Sequence, residues 1–277
     1  MNPHVDPPSH PREMLASAWR NRSLIVQLSK RDVLGRYRGS LAGMAWSFFN
    51  PLLMLGIYTF VFSTIFKSRW ALASLDESRA GFAIILFVGI IIHGLLSECI
   101  NKAPGLILNN ANYVKKVVFP LEILPWVVMS SALFHAFISL LVLLLAELAV
   151  GHGIPWTVVL IPMVILPLVF VVMGMTWFIS ATSVYVRDIA QMTGVFASAL
   201  MFLAPVFYPL SSLPEQYRAW MYLNPLTFII EQARGVLIAG TLPDWGALGG
   251  YFLLSLLFAW IGFWWFQRSR RGFSDVI

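Results

Sequence analysis

The sequence predicts an all-α integral membrane protein with six transmembrane helices, and three observations carry that prediction. Of the 277 residues, 58% are hydrophobic and only 12% are charged, whereas soluble domains are typically about 25% charged. One soluble core could not bury so much apolar surface, so lipid is the expected solvent for most of the chain. In addition, the apolar residues fall into runs of about 20, the length that crosses roughly 30 Å of hydrocarbon.

Six apolar runs supply the predicted spans. They cover approximately residues 41–66, 81–100, 120–150, 155–182, 190–208 and 246–266. The third run is long enough to tilt or to break near Pro125. The fourth contains Pro162 and Pro167, which should kink it.

The chain before the first span is expected to lie outside the hydrocarbon. Residues 1–12 are polar and rich in proline, which predicts a disordered tail, and they lack the apolar run of a cleaved signal peptide. Residues 13–40 should form one or two amphipathic interface helices on the membrane surface. The alternative is a short cytosolic helix that packs on other protein. The predicted apolar face contains Leu15, Trp19, Val26 and Val33, with Arg20 and Arg31 pointing away.

The distribution of basic residues predicts the orientation. If the N-terminus is cytoplasmic, 14 Lys and Arg residues fall inside and 5 outside, as the positive-inside rule requires. Both termini are then cytoplasmic, which agrees with an even number of spans. Residues 109–118 are predicted to form a cytosolic helix between spans two and three, and residues 267–277 a cytosolic tail.

A pair of short helices over residues 211–240 is expected on the outer side. Ser212 and Glu215 have the spacing of a capping box, Asn224-Pro225 offers an N-cap followed by a first-turn proline, and Gly240 offers a C-cap. The helix over about 225–239 is too short to cross the bilayer, so it is predicted to be re-entrant or interfacial.

Ionisable residues within the spans are candidates for function because burial in lipid is costly. Glu98, Glu122 and Glu147 lie near span ends, where solvation by headgroup water or a capping role is expected. His93 and His135 lie deeper, and each should be a neutral imidazole with one hydrogen bond between spans; the alternative is a proton relay. No span has an acid at its middle, which disfavours an ion-coupled transporter.

Several chemistries are absent from the sequence. There is no G-x-x-x-x-G-K-[ST] phosphate loop and no H-E-x-x-H or G-x-S-x-G motif. The single cysteine, Cys99, cannot form an intramolecular disulfide or a thiolate metal site. The basic residues flank apolar runs instead of forming one polar face, so no nucleic-acid partner is expected. The chain itself is expected to have no cofactor, and its energy must come from another chain or an ion gradient.

Aromatic residues on spans one and five suggest a conduit whose ring faces contact the CH side of a sugar. The alternative is packing or lipid-facing bulk. The candidate lining residues are Tyr58, Phe62, Phe66, Phe196, Phe202, Phe207 and Tyr208.

Four stretches of the sequence carry a resemblance to one family. They are R-Y-R-G-S-L-A-G-M-A-W-S-F-F-N-P-L-L-M at 36–54, V-F-P-L-E-I-L-P at 118–125, V-R-D at 186–188 and P-V-F-Y-P-L-S-S-L-P-E-Q-Y-R-A-W-M-Y-L-N-P at 205–225. In order and spacing they resemble bacterial ABC-transporter permeases that export polysaccharide. The likeness is greatest to permeases for O-antigen lipopolysaccharide, with capsule and teichoic-acid permeases as near relatives. Ala42 and Ala204 depart from the pattern, which often has Leu and Thr there.

The resemblance implies a homodimer that binds two separate ATPase subunits, which hold ATP and Mg. It also implies a lipid-linked polysaccharide as cargo, membrane lipid as a partner and the bacterial inner membrane as the location. The lack of a phosphate loop fits this division of labour.

The resemblance also suggests roles for three groups of residues. The ATPase-coupling interface would contain Lys30, Arg31, Asp32, Arg36, Arg38, Asn109, Asn110, Tyr113, Lys115 and Lys116. Arg36 and Arg38 are also candidates to bind the lipid pyrophosphate; the alternative is that these cations only enforce topology and contact anionic lipid. The outer gate would contain Pro209, Ser212, Pro214, Tyr217, Asn224, Pro225, Glu231 and Arg234.

Other classes of protein remain open at this point. A capsular or teichoic-acid permease is the nearest alternative, followed by an ABC permease for drugs or lipids. A membrane glycosyltransferase or ligase would need a catalytic acidic pair. The only adjacent acidic pair in the sequence is Asp76-Glu77, in the short loop over residues 67–79.

Overall fold

The computed structural model describes residues 8–61, 79–115, 119–151 and 153–277. Within these ranges all regular secondary structure is helical, as the sequence predicts. The α-helices are α1 (Pro11–Arg20), α2 (Arg22–Tyr37), α3 (Trp46–Tyr58), α4 (Arg79–Lys102), α5 (Gly105–Leu108), α6 (Ala111–Lys115), α7 (Leu124–Val150), α8 (Ile161–Tyr185), α9 (Ile189–Phe202), α10 (Glu215–Met221), α11 (Pro225–Arg234), α12 (Trp245–Ser269) and α13 (Phe273–Val276).

Five helical stretches in the described ranges are long and apolar enough to cross a membrane. They are Gly43–Val61, Gly81–Lys102, Leu121–Val150, Trp156–Tyr185 and Trp245–Val276. These correspond to predicted spans one, two, three, four and six.

The fifth predicted span is shorter than expected. Helix α9 has 14 residues and ends at Phe202, so it rises only about 21 Å at 1.5 Å per residue. The prediction of helix over 203–208 is wrong. Pro205 and Pro209 supply no N–H to a helical ladder, and the chain forms turns between them.

Two of the three prolines expected to disturb spans mark helix starts. Pro125 and Pro162 lie in the first turns of α7 and α8, where a missing N–H costs nothing. Pro162 lies where a 3-10 helix, Trp156–Leu160, meets α8, so the kink there stays a prediction. The break expected near Pro125 is the start of α7. Pro167 lies inside α8.

Helices α4 and α8 form the centre of the bundle. Of the 18 most apolar consecutive residues in each stretch, 72% are buried in the one that contains α4 and 56% in the one that contains α8. The corresponding share is 6% for the stretch that contains α3. Helix α8 packs along α12 with a close approach at Gly174 and Gly262. A Cβ on Gly262 would lie 2.8 Å from Gly174 Cα, and one on Gly174 would lie 2.9 Å from the carbonyl oxygen of Phe258. Small residues at this crossing let the two backbones touch.

The N-terminal segment forms two helices separated at Asn21, and its single predicted face is wrong. Leu15, Trp19 and Val26 are exposed, whereas Val33 is buried. The buried side of α2 is instead a row with a spacing of four residues, comprising Ile25, Ser29, Val33 and Tyr37. It packs on α7, where the Ser29 hydroxyl donates to the carbonyl oxygen of Val127 at 3.3 Å.

The bundle has two chemically distinct ends. We call the end formed by α1, α2, residues 103–115 and residues 269–277 the basic end. Both limits of the described chain lie there, because Gln267 Nε2 donates to the Pro8 carbonyl at 3.3 Å and Lys115 Nζ donates to the Ile277 carbonyl at 2.6 Å. The opposite end contains α10 and α11. We call residues 209–240, which include both helices, the hairpin. There Thr157 Oγ1 donates to the Val236 carbonyl at 2.6 Å.

Candidate functional site

A buried carboxylate at the basic end joins three helices. Glu98 of α4 accepts from Arg36 Nη1 of α2 at 3.0 Å and from Lys102 Nζ at 3.1 Å, and its other oxygen lies 2.9 Å from His135 Nδ1 of α7. Lys102 also donates to Asp32 at 2.9 Å. Since an unpaired carboxylate buried among apolar helices is costly, these partners fix α2 against α4 and α7. The structure thus gives Glu98 protein partners on three sides, which the sequence-based expectation of headgroup solvation or a capping role does not include, and leaves it 15% exposed.

A second carboxylate fastens α1 and the C-terminal segment. Glu122, just before α7, accepts from Ser17 Oγ at 2.9 Å and from Arg270 Nη1 at 2.7 Å. Arg270 Nη2 also donates to the Phe119 carbonyl at 2.8 Å, and Trp177 Nε1 donates to the Glu122 carbonyl at 3.1 Å. The side chain is again paired and mostly buried, which the expectation of headgroup solvation or a capping role does not include either.

The remaining titratable side chains singled out from sequence have mixed outcomes. His93 makes the expected contact between helices, with Nε2 2.9 Å from the Ala197 carbonyl of α9. His135 has two such neighbours where one is expected, the Glu98 carboxylate and the Arg36 guanidinium. Glu147 is buried, and its Oε2 has no hydrogen-bond partner among the described residues. Outside the spans, burial raises the pKa of Tyr37 while the Arg36 guanidinium opposes the rise, so this phenol stays neutral near pH 7.

The loop between α4 and α7 differs from the single helix predicted over 109–118. Asn109 and Asn110 form a turn between α5 and the five-residue α6, and Asn110 Nδ2 donates to the Leu106 carbonyl at 2.8 Å. The Tyr113 hydroxyl accepts from Arg31 Nη2 at 3.3 Å, and its ring stacks on Phe119 at 4.3 Å between centroids. The loop is thereby tied to α2.

The predicted coupling residues are therefore only partly brought together. The structure unites Arg31 with Tyr113, and Asp32 with the Arg36 cluster through Lys102. Lys30 and Arg38 are exposed and are not joined to either group by a hydrogen bond among the described residues. Lys116 lies outside the described residues.

A polar cleft of about 610 Å³ opens between α3, α4 and α7, next to the Glu98 cluster. Its charged lining is Arg36, Glu98 and Lys102. Its uncharged polar lining is Tyr37, Ser47, Asn50, Tyr58, His93, Ser97, Asn101, His135 and Ser139. The rest of the lining is apolar and comprises Pro51, Met54, Phe87, Ile90, Ile91, Gly94, Leu95, Ala132, Ala136 and Met201.

The candidate conduit aromatics that lie among the described residues do not surround one space. Tyr58 lines the polar cleft, whereas Phe196 lines a separate apolar groove of about 870 Å³ between α8, α9 and α12. The exposed Phe202 stacks on Phe207 at 5.7 Å, and the Tyr208 hydroxyl donates to the Phe202 carbonyl at 2.8 Å. Phe62 and Phe66 lie outside the described residues. The conduit stays a prediction.

The hairpin begins as the sequence predicts. Asn224 caps α11 by accepting from the Leu226 N–H at 3.0 Å, with Pro225 in the first turn, and Gly240 ends the helical segment in the left-handed region at φ +67°. Asn224 Nδ2 also donates to the Leu200 carbonyl of α9 at 2.7 Å. The capping box is wrong, because the Ser212 hydroxyl donates to the Pro209 carbonyl instead.

Arg234 anchors the hairpin to the bundle. Its side chain is only 3% exposed. It donates from Nε to the Ile85 carbonyl of α4 at 3.2 Å and from Nη2 to the Val206 carbonyl at 3.1 Å. Nη1 pairs with Glu231 at 3.0 Å. The guanidinium fork thus satisfies groups on three segments at once.

The candidate gate residues divide into two sets. Asn224, Pro225, Glu231 and Arg234 belong to α11 or its cap, which packs on α4 and α8. Pro209, Ser212, Pro214 and Tyr217 belong to the α10 side of the hairpin, which is more exposed.

Sequence reasoning missed the ion-pair roles of Glu98, Lys102, Glu122 and Arg270. The i,i+4 spacing of Glu98 and Lys102 was an available signal, but nothing local indicates that Glu122 meets Arg270. In the described part of the chain, no group of three or more His, Cys, Asp or Glu residues could hold a metal ion.

Comparison with known proteins identifies the class. Residues 23–238 match the model of the ABC-2 type transporter family, so the chain belongs to that family and is an integral membrane protein. It is 27% identical to "O-antigen export system permease protein RfbA" of Myxococcus xanthus, covering 95% of this chain and 99% of that protein.

Two further relatives extend the comparison. The chain is 22% identical to an RfbA permease of the same description from Klebsiella pneumoniae, covering 92% of this chain and 95% of that protein. It is 20% identical to "Polysialic acid transport protein KpsM" of Escherichia coli, covering 86% and 90%.

Proposed function

We propose that the chain is the transmembrane permease subunit of an ATP-driven exporter that moves a lipid-linked polysaccharide of the O-antigen type across the bacterial inner membrane. The observation that carries the proposal is the likeness to permeases named for O-antigen export over almost the whole of both chains. The relative named for polysialic acid transport keeps capsular polysaccharide as the second candidate cargo. The relatives reported above are not named for a teichoic-acid, drug or lipid cargo.

The ATPase is proposed to be a separate chain that supplies ATP and Mg, with two copies bound to a permease homodimer. The chain has no phosphate-loop motif, so it needs such a partner. The proposed docking surface is the basic end, where α2 and the α5–α6 loop meet through Arg31 and Tyr113. Because α2 is fixed to α4 and α7 by the Glu98 cluster, a displacement of α2 would move both spans.

The proposed topology has six crossings, with the basic end and both termini in the cytoplasm. Its support is the concentration of Lys and Arg in segments at that end and the location of residues 8 and 277 there. Helix α9 and the turns after it would make the fifth crossing. The hairpin would be re-entrant from the outer side and gate the exit, since irregular backbone at membrane depth is tolerated where protein buries it.

The first experiment reconstitutes the purified permease with a candidate ATPase subunit from the same organism. Lipid-linked polysaccharide should stimulate ATP hydrolysis and should reach the far side of proteoliposomes only with ATP. Sustained uphill export by the permease alone, or no effect of the polysaccharide on hydrolysis, would contradict the proposal.

A substitution in the same assay tests coupling. Arg36→Glu places a second carboxylate beside Glu98, so export should fall to about a tenth, equivalent to ~1.4 kcal/mol of barrier, while hydrolysis continues. Arg22→Glu, an exposed change at the start of the same helix, is the control. Normal export by an inserted and assembled Arg36→Glu complex would refute the role of this arginine.

A further inference from the structure

The polar cleft between α3, α4 and α7 has the size and composition of a ligand site. Its volume of about 610 Å³ falls within the 300–1,000 Å³ that is typical of small-molecule sites. All three helices belong to stretches that are apolar enough to cross a membrane. Polar groups at such positions are costly unless they face water, a ligand or one another.

One end of the cleft offers a cation with unused hydrogen-bond donors. Arg36 Nη1 contacts both Glu98 and His135. Among the described residues, its Nε and Nη2 have no hydrogen-bond acceptor, and the side chain is 49% exposed. A guanidinium has five N–H donors in a planar fork that matches two phosphate oxygens. Arg38, the other arginine considered for this role, is not in the lining.

The two cations of the cleft differ in what they can offer an anion. Lys102 pairs with two carboxylates, Asp32 at 2.9 Å and Glu98 at 3.1 Å, so these residues and Arg36 together carry no net charge. Arg36 has one carboxylate partner and is the more exposed of the two cations. A phosphate beside Arg36 would therefore bind through the unused donors of its guanidinium and not through an excess of positive charge.

The α3 side of the cleft has a different chemistry. The amide of Asn50 is exposed and has no hydrogen-bond partner within the described ranges, and the ring of Tyr58 lies two helical turns further along the same helix. Across the cleft, α7 presents Ser139, whose hydroxyl donates to the His135 carbonyl at 2.9 Å and can still accept from a sugar hydroxyl. Amide and hydroxyl groups beside an aromatic face are the groups that bind sugar hydroxyls and sugar CH faces.

We propose that this cleft binds a glycosyl phosphate, with the phosphate at Arg36 and the sugar ring against Asn50, Tyr58 and Ser139. The proposal rests on the proposed function for its source, the phosphate-linked first sugar of a lipid-linked polysaccharide. A soluble sugar phosphate shares the same chemistry, and the binding test separates the two sources.

The test measures binding to the full-length protein in lipid nanodiscs. Three probes are used: farnesyl diphosphate that carries one glucose, farnesyl diphosphate alone, and glucose 1-phosphate. The glucose-bearing lipid should bind at least about tenfold more tightly than farnesyl diphosphate, because the sugar adds two or more hydrogen bonds. Similar affinities for glucose 1-phosphate and the glucose-bearing lipid would support the site with a soluble source, and weaker binding of glucose 1-phosphate would support the lipid-linked source.

Variants assign the contacts. Asn50→Leu and Ser139→Ala should each reduce the preference for the sugar about three- to tenfold and leave farnesyl diphosphate binding unchanged. Arg36→Gln should weaken all three probes. Phe49→Leu is the matched control, because this exposed neighbour on α3 does not line the cleft.

Two results would overturn the inference. One is equal affinity of the native protein for the two lipids, and the other is an undiminished sugar preference in both Asn50→Leu and Ser139→Ala. Neither result depends on ATP-driven export, which is measured separately with the ATPase. Failure of export by the native complex would refute the proposed function and would leave the binding result standing.

Discussion

The crossing of α8 and α12 gives the sharpest test of the packing. A methyl group added at Gly262 would overlap the carbonyl oxygen of Gly174 and lie 2.8 Å from its Cα. Relaxed contacts between carbon and a carbonyl oxygen across helices are about 3.3–3.6 Å. The two backbones would therefore have to separate by roughly 1 Å in Gly262→Ala.

The magnitude follows from comparison with a glycine on the same helix. A methyl group added at Gly250 would have no neighbouring atom within 4 Å, so Gly250→Ala should gain only the helix preference of alanine, about 0.5–1 kcal/mol. Overpacking at Gly262 should cost about 1–3 kcal/mol. Both variants gain that helix preference, so it cancels in the comparison. The two variants should therefore differ by the overpacking cost of about 1–3 kcal/mol, or roughly 2–12 °C in melting temperature at 2–4 °C per kcal/mol.

The single cysteine supplies the assay. Cys99 is fully buried, so a thiol-reactive fluorescent maleimide labels it only after the bundle opens. Labelling is followed during heating of the detergent-solubilised protein. Gly174→Ala should resemble Gly262→Ala. The double variant should cost less than the sum of the two, because separating the helices for one methyl group also makes room for the other. Equal melting of Gly262→Ala and Gly250→Ala would show that the two helices do not touch here.

Two further substitutions test the polar anchors by the same melting assay, each against an exposed arginine. Arg234→Met should destabilise by about 2–4 kcal/mol, because it leaves two buried carbonyls and a carboxylate without their charged donor. Arg187→Met, at an exposed position, should cost under about 1 kcal/mol; matched losses would refute a buried anchor. Arg270→Gln should destabilise by about 1–3 kcal/mol by breaking a largely buried ion pair, while Arg20→Gln, in an exposed pair, should change stability by under about 1 kcal/mol. An Arg270→Gln protein that melts with the native one would show that the C-terminal segment is not fastened through Glu122.

The long spans were predictable because their signal is local and strong. A run of some 20 apolar residues has few alternatives to a membrane helix, and α4, α7, α8 and α12 begin and end close to the predicted positions. The error at α9 has a local cause as well. Residues 203–208 are apolar enough to continue a span, but Pro205 and the turns around it end the helix.

The apolar face predicted for the N-terminal helices was wrong for a reason that the periodicity of the sequence does not capture. Val26 and Val33 are seven residues apart and so point in nearly the same direction on α2, yet one is exposed and the other buried. Burial depends on where the neighbouring helix α7 runs along α2, and that neighbour is nearly 100 residues away in sequence.

The candidate site shows the same contrast between features set by neighbouring residues and features set by distant ones. Asn224-Pro225 and Gly240 could be assigned to helix ends because a cap acts within four residues. The partners of Glu98 and Glu122 come from elements before and after them in the chain, so their residue types indicated a charge to be satisfied and not the group that satisfies it.

The order of amino acids was enough to show that the chain is a helical membrane protein, where most of its spans lie and which family it resembles, because composition, run length and motifs act over short distances along the chain. The packed helices were needed to show which of them are central, that α8 and α12 touch through glycines, and that a polar cleft lies between α3, α4 and α7. Those features depend on distances between segments far apart in sequence, where the low dielectric of the interior makes each unpaired polar group costly and each pairing specific.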